Sequence, residues 1–311
     1  MRGYQEESEV FGMLVPADLK GIFVAIVTPF TQEDEVDTEG LRKLVDFYLR
    51  NGIHGIMTTG GNGEFPHLLP EERKMVLEQV IDAVRGRIPV IACTTGCSVK
   101  ETIIYTKHAE NAGADAAIIV QPYYFKLPPE QIFRYYEAIA DSTEIPIVVY
   151  NNPGYTKNPI PPKLMTRILK IKNVIGLKQS EYDISQTIEI IRTMGDQVSI
   201  MTGIDSQLFP ALCIGARGIF STAACVIPKQ MVELYETFKR GDVRKALEIH
   251  MKLQAINRFF EYDPGYVAPC KEALKLMGLP AGHVRPPLPA LSSEERVQLK
   301  EALVNLGVLK D

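Results

Sequence analysis

Lys178 has the most chemistry to offer in this 311-residue chain. It ends the run Val174-Ile175-Gly176-Leu177-Lys178, an apolar stretch of the kind buried on both faces in a parallel sheet. An amine at the end of such a strand loses part of its hydration, which disfavours the ammonium form. An uncharged amine can add to a ketone carbon and proceed to a Schiff base. The ordinary alternative is a solvated lysine that surfaces at the strand end. Tyr150 ends another apolar run, and a phenol there could carry a proton to and from the oxygen beside an imine. It could equally be a half-buried tyrosine bonded to backbone. The turn Gly60-Gly61-Asn62-Gly63-Glu64 brings amides that can approach an anion closely, with Gly61 and Asn62 as donors to a small carboxylate. A plain tight turn fits the same spacing. Tyr123-Tyr124 also reads as an interface pair.

The elements that must position these residues alternate. Strand-like runs fall at 21–27, 55–58, 89–93, 116–120, 146–150, 174–178, 199–202 and 218–221, with helical periodicity between them. Eight such units predict an α/β protein, a closed (β/α)8 TIM barrel, with its active site at the C-terminal strand ends. An open doubly wound sheet would carry a glycine fingerprint after the first strand, where this chain has Thr28-Pro29-Phe30. Helical patterns at 228–239, 242–261, 268–277 and 293–306 follow without a strand. The expected organisation is a tail over 1–20, the barrel over 21–240 and a C-terminal helical extension over 241–311.

Composition narrows the function classes. A net charge of -4 with no basic block argues against nucleic acid. No apolar run reaches 18 residues, so no membrane span is expected, and residues 1–17 do not read as a secretory signal. Five cysteines without framework spacing suit free thiols in the cytoplasm. The five histidines do not cluster with carboxylates at strand ends, so no metal site is expected.

Together, Val24-Ala-Ile-Val-Thr-Pro29, Gly60-Gly-Asn-Gly-Glu64, Gln121-Pro-Tyr-Tyr124, Val149-Tyr-Asn-Asn-Pro153, Val174-Ile-Gly-Leu-Lys178, Gly203-Ile-Asp205 and Gly218-Ile-Phe-Ser221 resemble the dihydrodipicolinate synthase / N-acetylneuraminate lyase family of pyruvate-dependent class I aldolases. The resemblance implies that Lys178 forms an imine with pyruvate or the pyruvate-like end of a 2-oxo acid, without a separate cofactor. It implies Tyr150 as general acid/base, Gly61 and Asn62 as carboxylate holders, and backbone near Phe220 and Gly203 at the walls. Tyr124 matches a phenol that reaches into a neighbouring subunit's site, which implies a homo-oligomer, a dimer of dimers. Three positions depart from the synthase pattern. Gly61 and Asn62 stand where the synthases usually carry hydroxyl residues, so Gly61 lacks the hydroxyl that would bridge two tyrosines, and Tyr155 stands where an arginine would grip an aldehyde's carboxylate. These departures favour a 2-keto-3-deoxy sugar acid or 4-hydroxy-2-oxo acid aldolase or dehydratase. The alternatives are a genuine 4-hydroxy-tetrahydrodipicolinate synthase and a non-enzymatic 2-oxo-acid binder.

Overall fold

The computed structural model describes residues 14–261 and 265–310. Eight strands pair in parallel in the order of the sequence and close into a barrel. They are β1 (Gly21–Ala25), β2 (Gly55–Thr58), β3 (Val90–Cys93), β4 (Ala116–Val120), β5 (Ile147–Asn151), β6 (Val174–Gln179), β7 (Ser199–Thr202) and β8 (Gly218–Ser221). Every residue in them is buried, as expected for strands with helices outside and side chains filling the interior. Closure comes from β1 against β8, with Phe23 opposite Phe220.

The helices are α1 (Thr38–Arg50), α2 (Pro70–Val84), α3 (Val99–Ala112), α4 (Pro129–Ala140), α5 (Pro153–Thr156), α6 (Pro162–Ile168), α7 (Ile184–Met194), α8 (Leu208–Cys213), α9 (Pro228–Lys239), α10 (Val243–Glu261), α11 (Val267–Leu276) and α12 (Ser293–Asn305). Their starts are marked locally. Asp37, Ser98 and Asp183 accept backbone N–H groups at N-caps, and Ser292 with Glu295 forms a capping box. Helices α10 to α12 follow the last strand–helix unit and pack on one another. The one-turn helix α5, directly after β5, is not legible from periodicity.

The barrel interior holds Phe23, Met57, Ile91, Ile118, Val148, Met201 and Phe220, closed below by Leu14 and Leu19. Among the described residues no helix is long and apolar enough to cross a membrane, and no group of three His, Cys, Asp or Glu could hold a metal.

Candidate active site

Lys178 and Tyr150 lie directly opposite each other on β6 and β5. Both side chains are buried at the C-terminal end of the barrel. Lys178 Nζ sits 4.1 Å from the centroid of the Tyr150 ring and 5.9 Å from that of Phe220. Its only hydrogen-bond contact among the described residues is the Met57 thioether at 3.9 Å, a weak acceptor. The amine thus points into a small space walled by rings and sulfur.

The strands beneath this pair are stiffened by amides. Gln121 Nε2 donates to Asn151 Oδ1 at 3.1 Å, and Asn151 Nδ2 donates to Gln179 Oε1 at 3.0 Å. All three side chains are buried, so the chain of amides fixes the tips of β4, β5 and β6 relative to one another. Tyr150 Oη accepts a hydrogen bond from Asn152 Nδ2 at 2.9 Å. That leaves the phenolic proton free to point elsewhere.

Gly203, just after β7, makes room for the lysine. A Cβ there would lie 2.6 Å from Lys178 Cε and 2.1 Å from Ser180 Oγ. The turn after β2 has a different task. Asn62 uses its side chain as a strut: Nδ2 donates to the Ala25 carbonyl at 2.8 Å and Oδ1 accepts from Thr222 Oγ1 at 3.1 Å. No hydrogen bond among the described residues uses the backbone N–H of Gly61 or Asn62. Both residues line the cavity that holds Lys178, so these unused amides are candidates for holding an anion.

One small cavity of about 80 Å³ gathers Lys178, Tyr150, Gly61, Asn62, Gly203 and Tyr155. Phe220 stands in the barrel interior below it rather than on its wall. Tyr124 is not brought in: it is 87% exposed, on the rim. Its backbone is left-handed, with φ 79°, and its ring packs edge-on against Phe125 at 4.9 Å.

The dihydrodipicolinate synthetase family model matches residues 18–306. This chain belongs to that family. A 4-hydroxy-tetrahydrodipicolinate synthase of Thermodesulfovibrio yellowstonii is 38% identical over 293 residues, 94% of this chain and 99% of the relative. Curated relatives with the same name run from 39% in Syntrophus aciditrophicus to 34% in Methanococcus maripaludis. Among solved structures, the dihydrodipicolinate synthase of Aquifex aeolicus superposes with a TM-score of 0.89 at 34% identity, covering 94% of this chain and all of that one. A prophage protein of the dihydrodipicolinic acid synthase family from E. coli K12, solved with pyruvate, gives 0.90 at 33%, covering 94% and 99%. Dihydrodipicolinate synthetase family members are pyruvate-dependent Schiff-base lyases, and this chain is a lyase of that class.

Several residues that line or brace the candidate site escape a sequence reading. Asn152 and Asp205 are visible only as parts of motifs, with no role of their own. Asp205 is fully buried, and its carboxylate accepts from Ser221 Oγ and from the backbone N–H groups of Thr222 and Ala223. Burial pushes its pKa up to about 6, against the hydrogen bonds that pull it down. A folded-state value above the unfolded one means that the native protein holds this proton more tightly. Its contribution to stability is full below about pH 4 and is lost as the pH rises through 6. Urea unfolding of the parent and of Asp205→Asn at pH 4 and pH 7 tests this. The parent's advantage should shrink by about 2 kcal/mol at the higher pH.

The second missed group is Tyr266, at the start of α11. It lines the same small cavity as Lys178 and Tyr150. Nothing in the sequence ties it to the barrel, because it lies beyond the last strand among helical patterns. The third is the pair Glu64 and Lys271, both fully buried and in ion-pair contact. The contact is poorly angled for a hydrogen bond, and Lys271 Nζ donates to the His283 carbonyl at 2.6 Å. Burial pulls Lys271 down to about 8, against the pull of Glu64 in the other direction. Glu64 Oε2 also accepts the Arg285 N–H at 2.8 Å, and the Arg285 guanidinium forks onto Glu72 at 2.7 and 2.9 Å. These contacts fasten the turn after β2 to the C-terminal helices.

Proposed function

We propose that the chain condenses pyruvate with aspartate semialdehyde through an imine on Lys178, as a 4-hydroxy-tetrahydrodipicolinate synthase. One observation carries the imine: a buried amine lies against the Tyr150 ring, in a cavity that also offers the open amides of Gly61 and Asn62. The full-length similarity to curated synthases supports the choice of reaction.

In this mechanism the two amides hold the pyruvate carboxylate, which places the keto carbon against Nζ. The amine adds to that carbon, and Tyr150 protonates the oxygen as it becomes hydroxyl and then leaves as water. The protonated imine draws electrons from the neighbouring methyl group. Loss of one proton there gives an enamine. The enamine carbon attacks the aldehyde carbon, whose oxygen takes up a proton. The amino group that came with the aldehyde then attacks the imine carbon, which closes the ring of the product and expels the lysine amine. Tyr124, exposed and held in a left-handed backbone, is assigned to contact with a second copy of the chain, where it joins the neighbour's site.

A second reading rests on Tyr155. A phenol cannot replace a guanidinium against a second carboxylate, and the adjoining outer cavity, about 780 Å³, suits a polyol instead. It is lined by Lys157, Ser180, Gln254, Asn257 and Arg258. Asn257 is buried, and among the described residues neither end of its side-chain amide has a hydrogen-bond partner. That reading is cleavage or dehydration of a 2-keto-3-deoxy sugar acid. Turnover of pyruvate with aspartate semialdehyde, set against pyruvate release from a panel of 2-keto-3-deoxy acids, separates the two. The synthase reading requires kcat/KM for the condensation to exceed every panel member by at least about tenfold. A reversed ranking transfers the assignment to the sugar acids.

A further inference from the structure

The space above Gly61 is occupied by another residue. A Cβ built on Gly61 would lie 2.2 Å from Tyr266 Oη and 3.3 Å from Tyr266 Cζ. The phenol oxygen therefore sits where a side chain at 61 would begin, beside one of the two open amides. Its ring is held edge-on by Tyr155, with centroids 5.7 Å apart and planes at 82°. The same cavity carries Lys178 and Tyr150. The buried contact between Glu64 and Lys271 pins both partners, since Glu64 closes the Gly61 turn and Lys271 lies five residues after Tyr266, the N-cap of α11.

We infer that Tyr266 is a second catalytic phenol, supplied by the C-terminal extension, whose hydroxyl stands in for a side-chain hydroxyl at position 61 and resupplies Tyr150 with protons. This rests on the Schiff-base reading above. In the dehydration step the bond between the carbinolamine carbon and its hydroxyl breaks as the nitrogen lone pair forms C=N. Tyr150 gives its proton to the departing hydroxyl, which leaves as water. Tyr266 passes its proton to Tyr150 while taking one from solvent. The sum is one solvent proton in, one water out and a protonated imine. The transfer is concerted and leaves no charge on Tyr266. That fits its surroundings, since burial first, and then the neighbouring Tyr150, Tyr155 and Cys93, push the phenol well above its ordinary pKa.

The pair Gly61 and Tyr266 makes a reciprocal test. Tyr266→Phe keeps the ring and its packing on Tyr155 and removes only the oxygen. Exchange of pyruvate methyl protons in D2O, which needs no aldehyde, and kcat with the preferred substrate should both fall by about 10²-fold. Borohydride should still trap pyruvate on Lys178 after long incubation. Gly61→Ser in the parent collides with Oη and should also lose activity. In the Tyr266→Phe background the 2.2 Å collision is removed, leaving a tight contact of 3.3 Å to ring carbon Cζ, and the serine hydroxyl should restore at least tenfold of the lost exchange rate. A packing role for Tyr266 predicts neither the Phe defect nor the rescue. Exchange within threefold of the parent for Tyr266→Phe, or a double variant no faster than either single one, overturns the inference. A parent chain that traps no pyruvate at Lys178 removes the Schiff-base reading itself, and this inference with it.

Discussion

Replacing Lys178 by methionine should abolish turnover and raise stability at once. Among the described residues lining the cavity Lys178 carries the only primary amine, so kcat should fall by about 10⁴-fold or more, and borohydride should no longer fix pyruvate to the protein. Lys178→Arg sharpens the test. A guanidinium keeps a positive charge near the Tyr150 ring but does not deprotonate in proteins. An electrostatic role predicts partial activity for the arginine variant, whereas a nucleophilic role predicts none. The stability arm follows from burial. Nζ is 4.1 Å from the Tyr150 ring and finds only a thioether to hydrogen-bond within the described protein. Methionine fills the same volume without a polar end to desolvate, which should be worth about 1 kcal/mol, or a rise of roughly 2 °C in Tm. Residual trapping in Lys178→Met, at another lysine, would refute the assignment.

The second large effect is expected far from the keto acid. Lys271→Met should destabilise the protein by about 3–5 kcal/mol, because it leaves the Glu64 carboxylate buried without its cation. Removing both charges is a different matter. Glu64→Gln with Lys271→Met leaves a neutral amide that can still accept from the Arg285 backbone, so the double variant should recover more than half of the loss. Chemical unfolding of the two singles and the double closes the cycle. Additive losses would show that the two side chains act independently, contrary to the contact. Both charge changes also touch the turn that carries Gly61 and the helix that carries Tyr266. Pyruvate binding should therefore weaken in Lys271→Met at temperatures where the variant remains folded.

The barrel was legible because its strands are short apolar runs at regular spacing, and every one of them is buried on both faces. Lys178 and Tyr150 were legible for the same reason: each ends such a run, and the fold puts strand ends at one mouth. Gly61 was legible as an anion cradle, and the open amides support that reading. Its other meaning was hidden. A missing hydroxyl at 61 reads in the sequence as a loss, and only the coordinates show that a phenol from α11 occupies the place. Residues that meet across the whole length of the chain leave no periodicity to find. Glu64 with Lys271 is the same case, since an acid in a glycine turn and a lysine on a late helix carry no sign of each other. Tyr155 marks the remaining ambiguity of substrate. It reads as a lost arginine, yet it stands edge-on to Tyr266, where a guanidinium would present a different surface.

The fastening of the β2 turn by Lys271 and Arg285 also has a temporal meaning. Both residues leave the ribosome after all eight strands have been made. Until this part of the chain emerges, Glu64 lacks its cation and the Gly61 turn lacks its phenol. On the reading proposed above, competence for pyruvate waits for the last helices to emerge, which complete both the site and the core cluster they share with the barrel.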